Sequence, residues 1–251
     1  MDNLNSPVAI VLAAGKGTRM ESELPKVLCE ANGTALVQYV VEALRKSGVK
    51  RIVLVVGYRA DLVRTQFEND ADIEFAEQTE QLGTGHAVMV CRAQLEEHEG
   101  PVVVVTGDSP MLQVDSLKNL LGEFDQGDPA AVLGTLLHEN PAGLGRIIRD
   151  PQGAFVGIVE EKDANDEQRL VNEVNMSTYV FDCQRLLQSL DLLTNSNKQN
   201  EYYITDVPGI MLQDGLDVRA LPVLKPIEAL SVNTVADLKL VEQALSENSE
   251  G

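Results

Sequence analysis

Short β-branched runs recur along the chain, each followed by a loop and then an apolar pattern of helical spacing, and this alternation limits the architecture more than any other feature. Val8–Leu12 is apolar and runs into glycine-punctuated sequence, which reads as a buried strand leaving for a loop. Residues 36–46, LVQYVVEALRK, repeat apolar side chains at helical spacing, and Gly48 supplies a stop. Arg51–Val56 returns to strand composition. Strand, loop, helix, strand implies a parallel βαβ unit with a right-handed crossover. The alternation continues with a helix at 86–95, a strand at 102–106, a helix at 116–124 and a strand at 130–137. Beyond Pro141 the segments shorten. Strands are expected at 155–159 and 176–181, helices at 202–212 and 235–245, and a late strand at 218–223, so the sheet is mostly parallel but mixed. The polar stretch 162–169, KDANDEQR, reads as a surface loop, with a lid over a substrate as the alternative. The expectation is one α/β domain, with its site at the carboxyl ends of the strands.

Composition removes several function classes. The 251 residues carry 20 Lys plus Arg against 39 Asp plus Glu, a formal charge of -19. So acidic a surface repels the phosphates of nucleic acid and of anionic membranes. Five Phe, five Tyr and no Trp offer little for base stacking. The N-terminal stretch lacks the basic region of a signal peptide, and no apolar run is long enough to cross a bilayer. Cys29, Cys91 and Cys183 are isolated, without CxxC spacing; buried thiols in a reducing, cytoplasmic setting are expected. A small phosphorylated ligand stays compatible with the acidic chain if cations are concentrated locally. Lys16, Arg19 and Lys26 fall within eleven residues, beside Gly15 and Gly17.

That loop, LAAGKGTRM at 12–20, matches neither standard phosphate-binding pattern. The dinucleotide fingerprint needs a third glycine where Met20 stands, and the Walker pattern needs a lysine where Gly17 is followed by Thr18. Glycines still permit tight turns and close backbone approach, and Arg19 can bind an oxyanion in bidentate fashion. For Lys26 the alternative is a surface ion pair with Glu21 or Glu23. Lys16 is left facing either phosphates or water.

A longer set of motifs carries a resemblance. LAAGKGTRMESELPKVL, QLGTGHA at 81–87 and TGDSPML at 106–112 resemble the sugar nucleotidyltransferase family. VEEKDA at 159–164, VNEVN at 171–175, NEYYITD at 200–206 and SVNT at 231–234 are similar to its amino-sugar branch, the uridylyltransferase domains of bacterial bifunctional uridylyltransferase/acetyltransferase enzymes. The likeness covers roughly residues 7–246. It implies a Rossmann-like nucleotidyltransferase fold, with a nucleotide-binding part at about 7–136, a sugar-binding part at 137–232 and a C-terminal metal ligand and helix at 233–251. The implied reaction takes UMP from UTP to N-acetylglucosamine 1-phosphate, giving UDP-N-acetylglucosamine and pyrophosphate, with Mg²⁺. Such relatives continue into a hexapeptide-repeat β-helix that binds acetyl-CoA; the sequence has no such repeat before Gly251, so acetyl transfer is not expected, and the relatives' trimeric state is not carried over.

Residue by residue, the resemblance implies catalytic roles for Arg19, Lys26 and Asp108, with Asp108 and Asn233 holding the metal. Leu12, Ala13, Ala14, Gly15, Gly17, Thr18, Arg19 and Lys26 would meet the phosphates and nucleotide, and Gln78, Gln81, Gly83 and Thr84 the uracil side. Gly145, Glu160, Asn175, Tyr203 and Thr205 would meet the sugar and its phosphate. His86 is read as a packing or positioning residue. Asp108 also suits a metal on its own terms, because a carboxylate at the mouth of the run VVVVTG is held by the sheet. Thr106, Glu161, Met176 and Ser177 depart from the commoner pattern, and most lie on the sugar side. Another sugar 1-phosphate, another nucleotide, or a nonenzymatic nucleotide-sugar sensor are the remaining readings.

Overall fold

A computed structural model describes residues 5–20 and 22–249. In chain order it holds β1 (Val8–Leu12), a short ladder of β2 (Glu30–Ala31) and β3 (Thr34–Ala35), α1 (Leu36–Ser47), β4 (Arg51–Val56), α2 (Ala60–Gln66) and β5 (Ile73–Glu77). Next come α3 (Thr84–Met89), α4 (Arg92–Leu95), β6 (Pro101–Thr106), α5 (Val114–Phe124) and β7 (Ala131–Leu137). The remainder is β8 (Gly145–Arg149), β9 (Phe155–Val159), α6 (Asp166–Arg169), β10 (Glu173–Asp182), α7 (Cys183–Leu190), α8 (Val207–Gln213), β11 (Val218–Leu221) and α9 (Val235–Ser249).

The main sheet runs β11-β7-β10-β6-β1-β4-β5, and β8 and β9 extend it from β10. The β1, β4, β5 and β6 pairings are parallel, as is β11 with β7, whereas β10 runs antiparallel to β6, β7 and β8. The expected mostly parallel mixed sheet is present. Side chains of β1 alternate strictly between two cores: Val8 and Ile10 pack with α3, α7 and α8 residues, Ala9 and Val11 with α1 and α5 residues. Both faces are thus covered, which is why the parallel strands read as continuous apolar runs. Gly48 ends α1 in the left-handed conformation, φ 104°, as its position suggested.

From β1 the chain moves to β4 and β5 on one side, then crosses back to place β6 on the other. That reversal opens a crevice beyond the carboxyl ends of β1 and β6, the usual ligand position in a doubly wound sheet. The loop 13–17 and the turn Gly107–Asp108 both start there.

Several boundaries differ from expectation. The helix at 86–95 is two short helices meeting around Val90 and Cys91; no glycine or proline marks the break, and Cys91 is fully buried at it. The helix at 202–212 is a 3-10 turn, Ile204–Asp206, followed by α8, with Tyr202 and Tyr203 outside it. Part of the expected loop 162–169 is ordered as α6, capped by Asn165 Oδ1 accepting from Gln168 N at 2.8 Å while Gln168 Oε1 accepts from Asn165 N at 2.9 Å. Strand β10 is longer than 176–181, and a bulge interrupts it between Asn175 and Tyr179. All three cysteines are free and buried. Among the described residues no helix is long and apolar enough to cross a membrane.

Candidate functional site

The loop after β1 is held at both ends by backbone bonds. Ala13 N donates to Val55 O at 3.0 Å, and Ala14 O accepts from Tyr58 N at 3.1 Å and from Gln81 Nε2 at 2.8 Å. Gly17 then turns the chain at φ 68°, a left-handed value that glycine adopts without cost. A Cβ there would stand 2.4 Å from Lys26 Cβ. The turn therefore packs against the lysine stem, and Arg19 follows in the 3-10 turn Thr18–Met20.

Lys26 projects into the crevice. Its Nζ forms an ion pair with Asp108 and donates to Asn233 Oδ1 at 3.1 Å; Arg19 Nη2 reaches the same Oδ1 at 3.3 Å. Side-chain exposures of 16% and 17% for Lys26 and Asp108 make this a sheltered pair and not the surface pair with Glu23 considered as the alternative; Glu21 lies outside the described residues. Residues 19, 26, 108 and 233, far apart in sequence, meet at one point. Lys16 is exposed, and its Nζ lies 5.1 Å from the centre of the Tyr58 ring.

Beside this cluster is a cavity of about 270 Å³ lined by Leu12, Ala14, Gly15, Gln78, Gln81, Gly83 and Thr84, all expected on the nucleotide side, together with Ala87 and Glu201. Ala13 is buried beneath it, and Thr18 belongs to the Arg19 turn. Gly83 has φ 109°, and a Cβ there would meet Tyr202 O at 2.5 Å, so the loop 81–85 and the segment 201–204 close tightly on each other. Three bonds join them: Tyr202 N to Leu82 O at 2.8 Å, Gly85 N to Tyr202 O at 2.7 Å, and Ile204 N to Thr84 Oγ1 at 3.1 Å. Gln78 is buried, and its Nε2 donates to Gly83 O at 3.0 Å and faces His86 Nδ1 at 3.1 Å. An amide NH₂ can only donate, so His86 Nδ1 is the acceptor and His86 positions Gln78.

The expected sugar-side residues also converge. Gly145 pairs with Asn175 in the β8–β10 register, and a Cβ on Gly145 would approach Glu160 Oε2 to 3.7 Å. Thr205 Oγ1 donates to Glu160 Oε1 at 2.9 Å. Glu160 and Tyr203 line a second cavity of about 280 Å³ with Asp163 and Asp206. Burial raises the Glu160 and Asp206 carboxyls above the ordinary range, with neighbouring carboxylates adding to the effect. Three acidic groups, Glu160, Asp163 and Asp206, share this cavity with Tyr203 and make its surroundings electronegative. Asn175 is buried with its carboxamide engaged internally: Nδ2 donates to Tyr179 Oη at 2.7 Å, and Oδ1 accepts from Ser177 N at 3.3 Å. Ser177 holds φ 51° in the bulge, a left-handed value that favours glycine. Glu161, another of the departures, accepts from buried Arg146 at 2.7 Å and from Gly143 N at 3.1 Å, tying the VEEKDA turn to the loop before β8. These hydrogen bonds hold its carboxyl below the usual range.

Sequence reasoning missed Glu201, Asp163, Asp206 and Tyr58 as lining or contact residues. The first three sit inside the quoted motifs NEYYITD and VEEKDA, but nothing in their spacing sets them apart from solvated acids.

As to metal, no group of three or more His, Cys, Asp or Glu side chains among the described residues forms a cage. Asp108 Oδ2 and Asn233 Oδ1 nevertheless both bond one Lys26 Nζ, so two hard oxygens aim at one point. Two protein oxygens fit a small divalent cation that keeps water and substrate oxygens for its other positions.

A switch-point crevice with a glycine turn, a sheltered lysine beside an arginine and an adjoining base-sized cavity defines a class of α/β protein that handles nucleotide phosphates. Residues 9–160 match the MobA-like NTP transferase domain, and the chain belongs to that family. It is 41% identical over 237 residues to the bifunctional protein GlmU of Clostridioides difficile, covering 94% of this chain and 51% of that protein. The GlmU proteins of Streptococcus agalactiae and Clostridium novyi are 42% and 43% identical, covering 96% and 94% of this chain and 52% of each relative. The chain thus spans about half the length of the curated relatives it matches.

Proposed function

We propose that the chain is a sugar-phosphate nucleotidyltransferase that moves UMP from UTP to N-acetylglucosamine 1-phosphate, releasing pyrophosphate and forming UDP-N-acetylglucosamine. The convergence of Arg19, Lys26, Asp108 and Asn233 beyond β1 and β6 carries this reading, and the GlmU relatives favour the substrates.

The attacking group, an oxygen of the sugar 1-phosphate, is already anionic. No serine nucleophile or general-base histidine is needed, and alignment with charge neutralisation does the work. UTP carries roughly four negative charges and the sugar phosphate about two, so repulsion is the main obstacle to their meeting. Asp108 and Asn233 would hold Mg²⁺, which would supply neutralisation of the charge that develops on the phosphates. Lys26, next to that metal position, would direct its ammonium to the phosphates, and Arg19 would bind the same phosphates from the loop. The uracil enters the cavity beside Gln78, whose pinned NH₂ leaves Oε1 to accept from the ring NH. The sugar hydroxyls and acetamide meet the Glu160 and Asn175 side, with Gly145 leaving room.

The experiment is a panel of sugar 1-phosphates incubated with the protein, UTP and Mg²⁺, with pyrophosphate and nucleotide sugar quantified. The highest kcat/KM is expected with N-acetylglucosamine 1-phosphate. Efficient turnover of a different sugar alongside failure with this one overturns the substrate assignment.

A further inference from the structure

Asn233 reaches the crevice from the far end of the chain, and its placement depends on a buried carboxylate that no motif identified. Glu228, in the 3-10 turn Pro226–Ala229, is only 5% exposed. Its Oε1 accepts from Gln113 N at 3.0 Å, and its Oε2 from Ser116 Oγ at 2.6 Å and Lys225 N at 2.8 Å. Gln113 precedes α5, whose first N–H groups have no intrahelical partner, so a side chain 115 residues away caps this helix. Four residues after Glu228, Val232 N donates to Asp108 O at 3.0 Å. Asn233 follows at once, and Asp237 Oδ2 accepts from Asn233 N at 3.0 Å and Thr234 N at 2.8 Å. The strap 225–234 is therefore fastened to the same β6–α5 turn that carries Asp108, once at Glu228 and once at the Asp108 backbone.

We infer that Glu228 is a positioning residue that sets Asn233 Oδ1 against Asp108 Oδ2, and so governs the affinity of this pair for a divalent cation. The cation clause rests on the function proposed above. A carboxylate suits the task because it only accepts, and three donors point at it. Glu228→Gln keeps the volume but turns an NH₂ against one or more of those donors, which loosens the strap without opening a cavity. Groups that orient a metal ligand in this way typically change metal affinity by about 10- to 100-fold when altered.

The test measures Mn²⁺ bound in the presence of UTP by electron paramagnetic resonance, for the wild-type chain, Asp108→Asn and Glu228→Gln, with far-ultraviolet circular dichroism and a thermal midpoint for each. The expected result is that Asp108→Asn loses bound Mn²⁺ and folded Glu228→Gln needs about 10- to 100-fold more Mn²⁺ for half-saturation, while excess Mg²⁺ restores turnover in Glu228→Gln alone. Wild-type Mn²⁺ affinity in Glu228→Gln, with Asp108→Asn impaired, overturns the inference and leaves the proposed function standing. Unaltered binding in Asp108→Asn removes the metal assignment and this inference with it. Should Glu228→Gln not fold, Ser116→Ala removes one donor from the same carboxylate; weaker Mn²⁺ binding in that folded variant supports the inference, and unchanged binding overturns it.

Discussion

Gly15 and Gly17 look equivalent in the sequence, but the structure assigns them different consequences on substitution. In Gly17→Ala the new Cβ would stand 2.4 Å from Lys26 Cβ, 3.0 Å from Cγ and 3.2 Å from Cδ, at a backbone φ of 68°. The left-handed conformation costs an alanine roughly 1–2 kcal/mol, and overpacking against the lysine stem adds about 1–3 kcal/mol, for a total of about 2–5 kcal/mol. Whatever relief the chain finds must move Lys26, whose Nζ meets Asp108 and Asn233. A displacement of about 1 Å in such a group lowers turnover by about 100-fold. Gly15 has nothing within 4 Å of the corresponding Cβ and lines the nucleotide-side cavity. Gly15→Ala should therefore keep its stability to within about 0.5 kcal/mol and act through the KM for UTP. Urea unfolding and steady-state kinetics on both variants separate the two cases. Wild-type turnover in Gly17→Ala, or an equal loss of stability in Gly15→Ala, refutes the assignment of Gly17 to the Lys26 contact.

Other variants probe the two cavities and the core. Burial raises the Glu160 carboxyl, so the folded state holds its proton more tightly than the unfolded state does, and stability falls as pH rises from the unfolded value through the folded one. Glu160→Gln should then melt above wild type at pH 8, with the gain shrinking at pH 5, and should lose sugar-phosphate turnover; a gain that grows towards acid pH contradicts the sign. Tyr179→Phe strands the buried Asn175 Nδ2, now 2.7 Å from the phenol oxygen, at a cost of about 1–3 kcal/mol, read as a shift in the urea midpoint at unchanged slope. Burial pushes the Cys91 and Cys183 thiols up to about 12, so a disulfide reagent at pH 8 should modify them in the native protein only at the rate of unfolding; rapid reaction of either argues against the packed core around β6 and α7.

The legible parts of the fold were those set by local apolar pattern. Val8–Leu12 and Arg51–Val56 are buried on both faces and keep their expected bounds, as does Phe155–Val159. Strand β5, IEFAE, sits at the sheet edge with Glu74 and Glu77 among its five residues, and β8, GRIIR, buries an arginine paired with Glu161; neither resembles a buried apolar run. The break at Cys91 and the bulge after Asn175 are imposed by packing across the chain, which no local window contains. At the site, Arg19, Lys26 and Asp108 were singled out by the motif resemblance, with local support only for Arg19 in a glycine loop and for Asp108 at the end of a strand. Glu228 was not: a single glutamate in LKPIEAL acquires its role from Gln113 and Ser116, more than a hundred residues earlier.

The central claim is that the crevice aligns two phosphates for direct attack, with no covalent enzyme intermediate. The stereochemical course at the α-phosphorus tests it most directly, using UTP made chiral there by a single α-thio substitution and reading the configuration of the nucleotide-sugar product by ³¹P NMR. One in-line displacement predicts inversion. Retention would contradict the account, because it requires two displacements and hence a nucleophile that none of Arg19, Lys26, Asp108 and Asn233 was assigned to be.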